Sequence, residues 1–288
     1  MKVNIDFHYS DFWADPKRQH APKAWEGMSA DEKADALYDF TKESLTQILD
    51  AGVDVGMVQV GNEITNGLMW PHGKWDNVDN IARFISAGIH AVREVSPDSR
   101  VMLHLDCGGN NARCREWFDA YVQRGEDFDV IGLSYYPFWH GTIDDLTNNM
   151  NDLSQRYQKD VIVAEVSMGF TMEDYADREK LAPKERKGMA TKPHLAEAVE
   201  YPMTPEGQAA FMQKVMERIT QVPEGRGKGF YYWEPAWIPM PGCGWANEES
   251  LKYIQDPGPG GNEWANQALF DYDGNALPAL KVIRDFQK

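Results

Sequence analysis

The chain has 288 residues, of which 42% are hydrophobic and 12% aromatic, with a formal net charge of −16 at pH 7. That length and apolar content are enough for a core of domain size. The excess of acid excludes a nucleic-acid partner, which it would repel, and no apolar run approaches the roughly 20 residues that a membrane span needs.

The amino terminus, MKVNIDFHYSDFW, lacks the charged start, apolar middle and small-residue cleavage site of a signal peptide. Either the protein is cytosolic or its export signal is not in this chain. VNIDFHYS (3–10) reads as a strand, followed by helical spacing over 29–51. The pattern then repeats. VGMVQVGNE (55–63) precedes a helix near 77–95, RVMLHLDC (100–107) one near 111–124, and VIGLSYYP (130–137) one near 142–159. VIVAEVSM (161–168) precedes a helix near 205–221, and KGFYYWEP (228–235) one near 276–286. Alternation of apolar strands with amphipathic helices implies a parallel sheet covered by helices. Two long loops interrupt the rhythm, 169–204 with many charges and 236–268 rich in Gly, Pro and Trp, and loops of that length are usually functional. Cys107, Cys114 and Cys243 are an odd number without CxxC spacing, so neither a disulfide framework nor a zinc site is expected. They read as buried thiols, with a Cys107–Cys243 or Cys114–Cys243 bridge left to geometry.

Six βα units suit either a doubly wound sheet or a (β/α)8 TIM barrel. Strand ends favour the barrel. They carry His8 and Tyr9, Asn62 and Glu63, His104 and Asp106, Tyr135 and Tyr136, Glu165, and Trp233 and Glu234. A barrel gathers all such ends at one face, whereas an open sheet concentrates chemistry at one switch point. No GxGxxG or GxxxxGK[ST] is present to hold a nucleotide.

Glu63 and Glu165 each end a run of β-branched residues, on the second and fifth strands. Glycoside hydrolysis needs such a pair, one acid to protonate the leaving oxygen and one carboxylate to attack or to activate water. A lone glutamate at a strand end is more often a structural ion-pair member or metal ligand; two among aromatic strand ends favour catalysis. Asn62 is placed to donate its amide to a sugar hydroxyl or to cap the loop. Tyr135 is a candidate to donate to a carboxylate, or a packed tyrosine with a satisfied hydroxyl. Trp233 is a candidate floor for a sugar, or a core ring. His8 and His104 serve as well for packing and hydrogen bonding as for general base work, and no HExxH or tight histidine cluster suggests a catalytic metal.

DFHYSDFWADP (6–16), QVGNEITNGLMWP (59–71), GLSYYPFW (132–139), AEVS (164–167) and WANQALFDYDGNALPAL (264–280) closely resemble glycoside hydrolase family 53, the endo-β-1,4-galactanases. The resemblance implies a clan A (β/α)8 barrel, one catalytic domain over 1–288, and a retaining double displacement on β-1,4-galactan, as in the type I arabinogalactan side chains of pectin. It makes Glu63 the acid/base and Glu165 the nucleophile, with carboxyl groups about 5–5.5 Å apart. Asn62 would hold the sugar 2-hydroxyl, Tyr135 would orient the nucleophile, and Trp233 would floor the −1 subsite through a cis bond to Glu234. Asp6, His8, Trp13, Trp70 and His104 complete the expected substrate contacts. The family begins two βα units before DFHYSDFW, so the six visible units correspond to strands three to eight, and a chain lacking the first two is expected to be incomplete. Some relatives hold a structural calcium; Glu173, Asp174 and Asp177 lack a clear ligand series and Ala265 stands where an aspartate is expected, so no tight calcium and no cofactor is expected. The expected partner is galactan alone, with no membrane, a monomeric chain, and an extracellular or cell-surface location for the full-length protein. A mannanase, a cellulase or an inactive galactan-binding fragment remain as alternatives.

Overall fold

The computed structural model describes residues 1–175, 193–241, 243, 244, 246–253, 255 and 262–286. Six strands follow one another: β1 (Val3–Phe7), β2 (Val55–Val60), β3 (Arg100–Leu105), β4 (Val130–Tyr135), β5 (Asp160–Val166) and β6 (Gly227–Tyr232). The long helices between and after them are α1 (Ala30–Asp50), α2 (Val78–Val95), α3 (Asn111–Tyr121), α4 (Ile143–Tyr157), α5 (Pro205–Thr220) and α6 (Pro278–Asp285). The strands are hydrogen-bonded in chain order, β1 to β6, without a reversal. That is the order of consecutive units in a (β/α) barrel; a doubly wound sheet reverses at its switch point. Among the described residues no helix is long and apolar enough to cross a membrane.

Local chemistry explains the elements. Ser29 and Glu32 form a reciprocal capping box at the start of α1. Asn77, Asn110 and Thr204 each accept a backbone N–H at the start of α2, α3 and α5, and Pro205 opens α5 where its missing N–H costs nothing. Strands β2 to β5 are apolar and almost wholly buried, as a parallel sheet covered on both faces requires. The strands stop earlier than the sequence pattern suggests, β1 at Phe7 and β2 at Val60. Tyr9 at φ 51° and Gly61 at φ 85° leave the extended region there and turn the chain.

The chain forms two compact units, one of Met1–Ser134 with Asn151–Ile162 and one of Tyr135–Met150 with Val163–Lys288. In the first, parallel pairing sets Ile5 beside Val58, Val58 beside Val101 and Leu103 beside Ile131. This register brings the carboxyl ends of β1 to β4 to one edge of the sheet. Its core holds Trp117, which stacks on Tyr121 at 5.4 Å and meets Phe118 edge-on at 5.0 Å. At the amino end of β3, Asp129 accepts from Arg93 and from the Val101 N–H, both at 2.7 Å. In the second unit, Phe211 of α5 stacks on Tyr135 at 6.1 Å. Gln208 lies fully buried and donates to the carbonyls of Met168 at 2.8 Å and Ala268 at 3.0 Å.

The three cysteines are free thiols. As expected they form no framework, and neither pairing with Cys243 that was left to geometry occurs: Cys107 Sγ lies 3.3 Å from Cys114 Sγ, because the turn after β3 folds back on the first turn of α3.

Candidate active site

In the first unit, the turn after β2 is built around Gly61. A Cβ at this φ of 85° would lie 2.7 Å from Ile64, so the position suits only glycine. Glu63 follows at φ 48°, a left-handed conformation uncommon for a side-chain-bearing residue and often held at functional sites. Gln19 restrains it by donating to the Asn62 carbonyl at 2.7 Å and the Glu63 carbonyl at 3.2 Å. Trp117 Nε1–H donates to the Ile64 carbonyl at 3.1 Å, anchoring the turn from beneath.

A polar network runs across the strand ends of this unit. Asp6 Oδ1 accepts from Gln59 Nε2 at 2.7 Å, and Asp6 Oδ2 lies 3.2 Å from His8 Nε2. His8 Nδ1 accepts the Ala14 N–H at 2.9 Å, so the ring proton sits on Nε2 and points to Asp6. Gln59 Nε2 also donates to Asn62 Oδ1 at 2.9 Å, and Asn62 Nδ2 donates to the Ala14 carbonyl at 2.9 Å. His104, fully buried on β3, sets Nδ1 2.9 Å from Asn62 Oδ1 and Nε2 2.8 Å from Ser134 Oγ. Ser134 Oγ in turn lies 2.7 Å from Glu63 Oε1. The structure thus joins five expected residues, Asp6, His8, Asn62, Glu63 and His104, through two that the sequence reading overlooked, Gln59 and Ser134. Each carries a signal in the sequence, as a polar side chain near the end of an otherwise apolar, buried strand.

Two expected residues of this unit stand outside the network. Trp13 is 42% exposed and tilts against Phe12 at 6.4 Å. Trp70 donates from Nε1 to the Asn66 carbonyl at 3.1 Å and carries Lys74 Nζ 5.4 Å from its ring centre. Both present aromatic area of the kind that stacks on sugars.

In the second unit, Glu165 is buried on β5, and Tyr136 donates its hydroxyl to Glu165 Oε2 at 2.5 Å. Tyr135 does not reach this carboxylate. Its hydroxyl donates to the Gly141 carbonyl at 3.0 Å, and its ring is fully buried. Tyr136 follows the last residue of β4 and directs its hydroxyl elsewhere, so Tyr136 and not the expected Tyr135 meets Glu165. Tyr136 also meets Trp264 edge-on at 5.2 Å; Trp264 Nε1–H donates to Ser167 Oγ at 3.1 Å, and Ser167 donates to Gln267 Oε1 at 2.9 Å. Trp233 packs, partly buried, against the cluster of Tyr136, Phe138 and Trp264. The cis bond expected between Trp233 and Glu234 is absent; among the described residues the cis peptide is Trp70–Pro71, and the chain turns after Trp233 through Glu234 at φ 50°. Burial holds the Glu234 carboxyl above the usual carboxylate range. In the loop where some relatives hold calcium, Asp174 is buried and Tyr272 donates to the Glu173 carbonyl at 2.6 Å, and Ala265 near the tail is fully buried. Asp177 lies outside the described residues.

At the end of β3, burial raises the pKa of Asp106, and Oδ1 is a buried oxygen without a hydrogen-bond partner among the described residues. A raised pKa means the folded chain binds the proton more tightly than the unfolded one. Its contribution to stability is therefore present below the unfolded carboxyl pKa and is lost as pH rises through the folded value. Asp106→Asn is expected to raise stability at pH 7 by about 1 kcal/mol. Thermal melts at pH 4 and pH 7 check this: the gain should shrink at the lower pH, and an equal or larger gain there would overturn it.

The family model described as Glycosyl hydrolase family 53 matches residues 1–283. The chain is similar to the endo-beta-1,4-galactanase of Bacillus subtilis, 38% identical over 99% of this chain and 67% of that one. It is 32% identical to the arabinogalactan endo-beta-1,4-galactanase of Humicola insolens, over 98% of this chain and 77% of that one. The solved Ignisphaera aggregans GH53 catalytic domain superposes with a TM-score of 0.87 at 37% identity, covering 98% of this chain and 73% of that chain.

Proposed function

Because the chain belongs to glycosyl hydrolase family 53, we propose that it is an endo-acting, retaining glycosidase of β-1,4-galactan, the substrate class printed in the names of its relatives. Glu165 is the nucleophile and Glu63 the acid/base. Glu165 attacks the anomeric carbon while Glu63 protonates the departing oxygen; Glu63, now ionised, then draws a proton from water, which hydrolyses the glycosyl ester. The observation that carries this reading is the Tyr136 hydroxyl on Glu165. A phenol donating to a buried carboxylate fixes the orientation of that carboxylate at the end of its strand, as a nucleophile needs.

Asn62 holds the 2-hydroxyl, Trp233 floors the site, and Asp6, His8, His104, Trp13 and Trp70 contact or support the polysaccharide. The six strands correspond to the third to eighth of the barrel. The protein works as a monomer outside the cell, and the chemistry needs no metal, since the two carboxyl groups supply both proton and nucleophile.

The test is reducing-end release from linear β-1,4-galactan, with mannan and carboxymethyl-cellulose as controls and with EDTA in a parallel series. Galactan-only cleavage, unchanged by EDTA, with NMR showing the β-anomer as first product, is expected. Cleavage of mannan or cellulose instead, a first-formed α-anomer, or binding of galactan without cleavage would overturn the reading.

A further inference from the structure

The network behind Glu63 restricts where protons sit. Asn62 Nδ2 donates to the Ala14 carbonyl, so Asn62 Oδ1 is the atom facing His104 Nδ1 at 2.9 Å. Gln59 Nε2 lies 2.7 Å from Asp6 Oδ1, 2.9 Å from Asn62 Oδ1 and 3.1 Å from His104 Nδ1; its two protons go to the two nearer oxygens, which leaves none for Nδ1. An acceptor oxygen facing a ring nitrogen requires a proton on that nitrogen, so His104 carries Nδ1–H. Nε2 then faces the Ser134 hydroxyl, and that hydroxyl faces Glu63 Oε1.

Two arrangements satisfy these contacts. In one, His104 is neutral, Ser134 donates to Nε2, and a protonated Glu63 donates to Ser134 Oγ. In the other, His104 is an imidazolium that donates to Ser134, and Ser134 donates to an ionised Glu63. The two differ by one proton passed along the chain: the Glu63 O–H breaks as a Ser134 O–H forms, and the former Ser134 O–H breaks as His104 Nε2–H forms. His104 is fully buried, and burial disfavours the imidazolium. Within the unit, Asp6 is joined to this chain through Gln59. Asp6 favours the imidazolium but is itself half-exposed and accepts from both His8 and Gln59.

We propose that Glu63, Ser134 and His104 share a single proton held on Glu63, and that Ser134 and His104 are positioning residues which keep Glu63 in its proton-donating form until the glycosidic oxygen takes the proton. This rests on the reading of Glu63 as the acid/base. After transfer, the Ser134 hydroxyl turns from His104 to the new carboxylate and stabilises it for its second role as base. The geometry accounts for a serine at the end of a strand otherwise filled with apolar and aromatic side chains.

The test uses aryl β-1,4-galactobiosides with a good leaving group (2,4-dinitrophenyl) and a poor one (phenyl), beside galactan. A good leaving group needs little acid assistance. Ser134→Ala is expected to lose about 10- to 100-fold more kcat/KM on galactan and the phenyl glycoside than on the dinitrophenyl glycoside, within the span of general acid catalysis. The alkaline limb of its kcat/KM profile should move to lower pH by about one unit, because the protonated carboxyl has lost its acceptor. Ser134→Thr, which keeps the hydroxyl, should restore both. Equal loss on all substrates, or an alkaline limb that stays put or moves up, would overturn the proposal. Glu63→Gln separates the two levels. If it too loses equally on good and poor leaving groups, the assignment of Glu63 fails; if it shows the dependence and Ser134→Ala does not, the proton chain alone fails.

Discussion

Glu165→Gln lowers turnover of β-1,4-galactan by about 10⁴-fold or more, the scale on which enzymes lose activity without their nucleophile. The amide keeps the volume of the carboxylate and can still accept from Tyr136, so the loss reports on charge and attack rather than on packing. Glu165→Ala offers a chemical check, since azide fits the vacated space. Azide attacking from that face inverts the anomeric carbon in one step, so an α-configured glycosyl azide is the expected product; a β-configured product would make Glu165 the acid/base instead of the nucleophile. Tyr136→Phe should lower kcat by about 10²-fold with little change in KM, the usual cost of removing one donor from a preorganised charge. Tyr135→Phe should leave kcat within a few fold, because its hydroxyl serves the Gly141 carbonyl. The reverse ranking of the two tyrosines would sink the assignment of the orienting group.

Trp117→Ala has the largest expected effect on stability. The indole is fully buried, stacks on Tyr121 at 5.4 Å and on Trp75 at 6.5 Å, and touches Phe118 edge-on at 5.0 Å. Truncating such a ring costs about 3–5 kcal/mol through lost transfer energy and the cavity left behind. It also strips the Ile64 carbonyl of its indole donor, and an unsatisfied buried polar group costs about 1–3 kcal/mol. Trp117→Phe separates the terms: it keeps much of the ring and should lose only about 1–3 kcal/mol, mainly from the hydrogen bond. Urea unfolding of both variants checks the pair, and a loss below about 1 kcal/mol for Trp117→Ala would show that the core closes over the gap. Since Ile64 follows Glu63 directly, Trp117→Phe should also depress activity, linking the core of the unit to the turn that carries Glu63.

The elements were legible because their signals are local. VIVAEV and VGMVQV are apolar runs of strand length, and α1 announces itself by Ser29 and Glu32 three residues apart. Glu63 and Glu165 were legible for the same reason, as acids ending β-branched runs. The ends of those runs were not. Whether the chain stays extended past Phe7 or Val60 depends on Tyr9 and Gly61 entering the left-handed region, which a propensity for strand does not report.

Tyr135 and Tyr136 show where sequence reasoning stops. Both are aromatic, Tyr135 ends β4 and Tyr136 follows it, and composition alone treats them as equal. Which of them meets the carboxylate follows from the packing of Phe211 against Tyr135 and of Trp264 against Tyr136. Gln59, His104 and Ser134 were likewise invisible as a set, because they lie on three strands and meet only through parallel register. Short motifs and periods of two and 3.6 residues carry the alternation of strands and helices and the family, and they set two glutamates at strand ends. Which hydroxyl meets each glutamate follows from the fold, because a hydrogen bond between residues 29 or 71 positions apart depends on strand order, register and the direction of each side chain together.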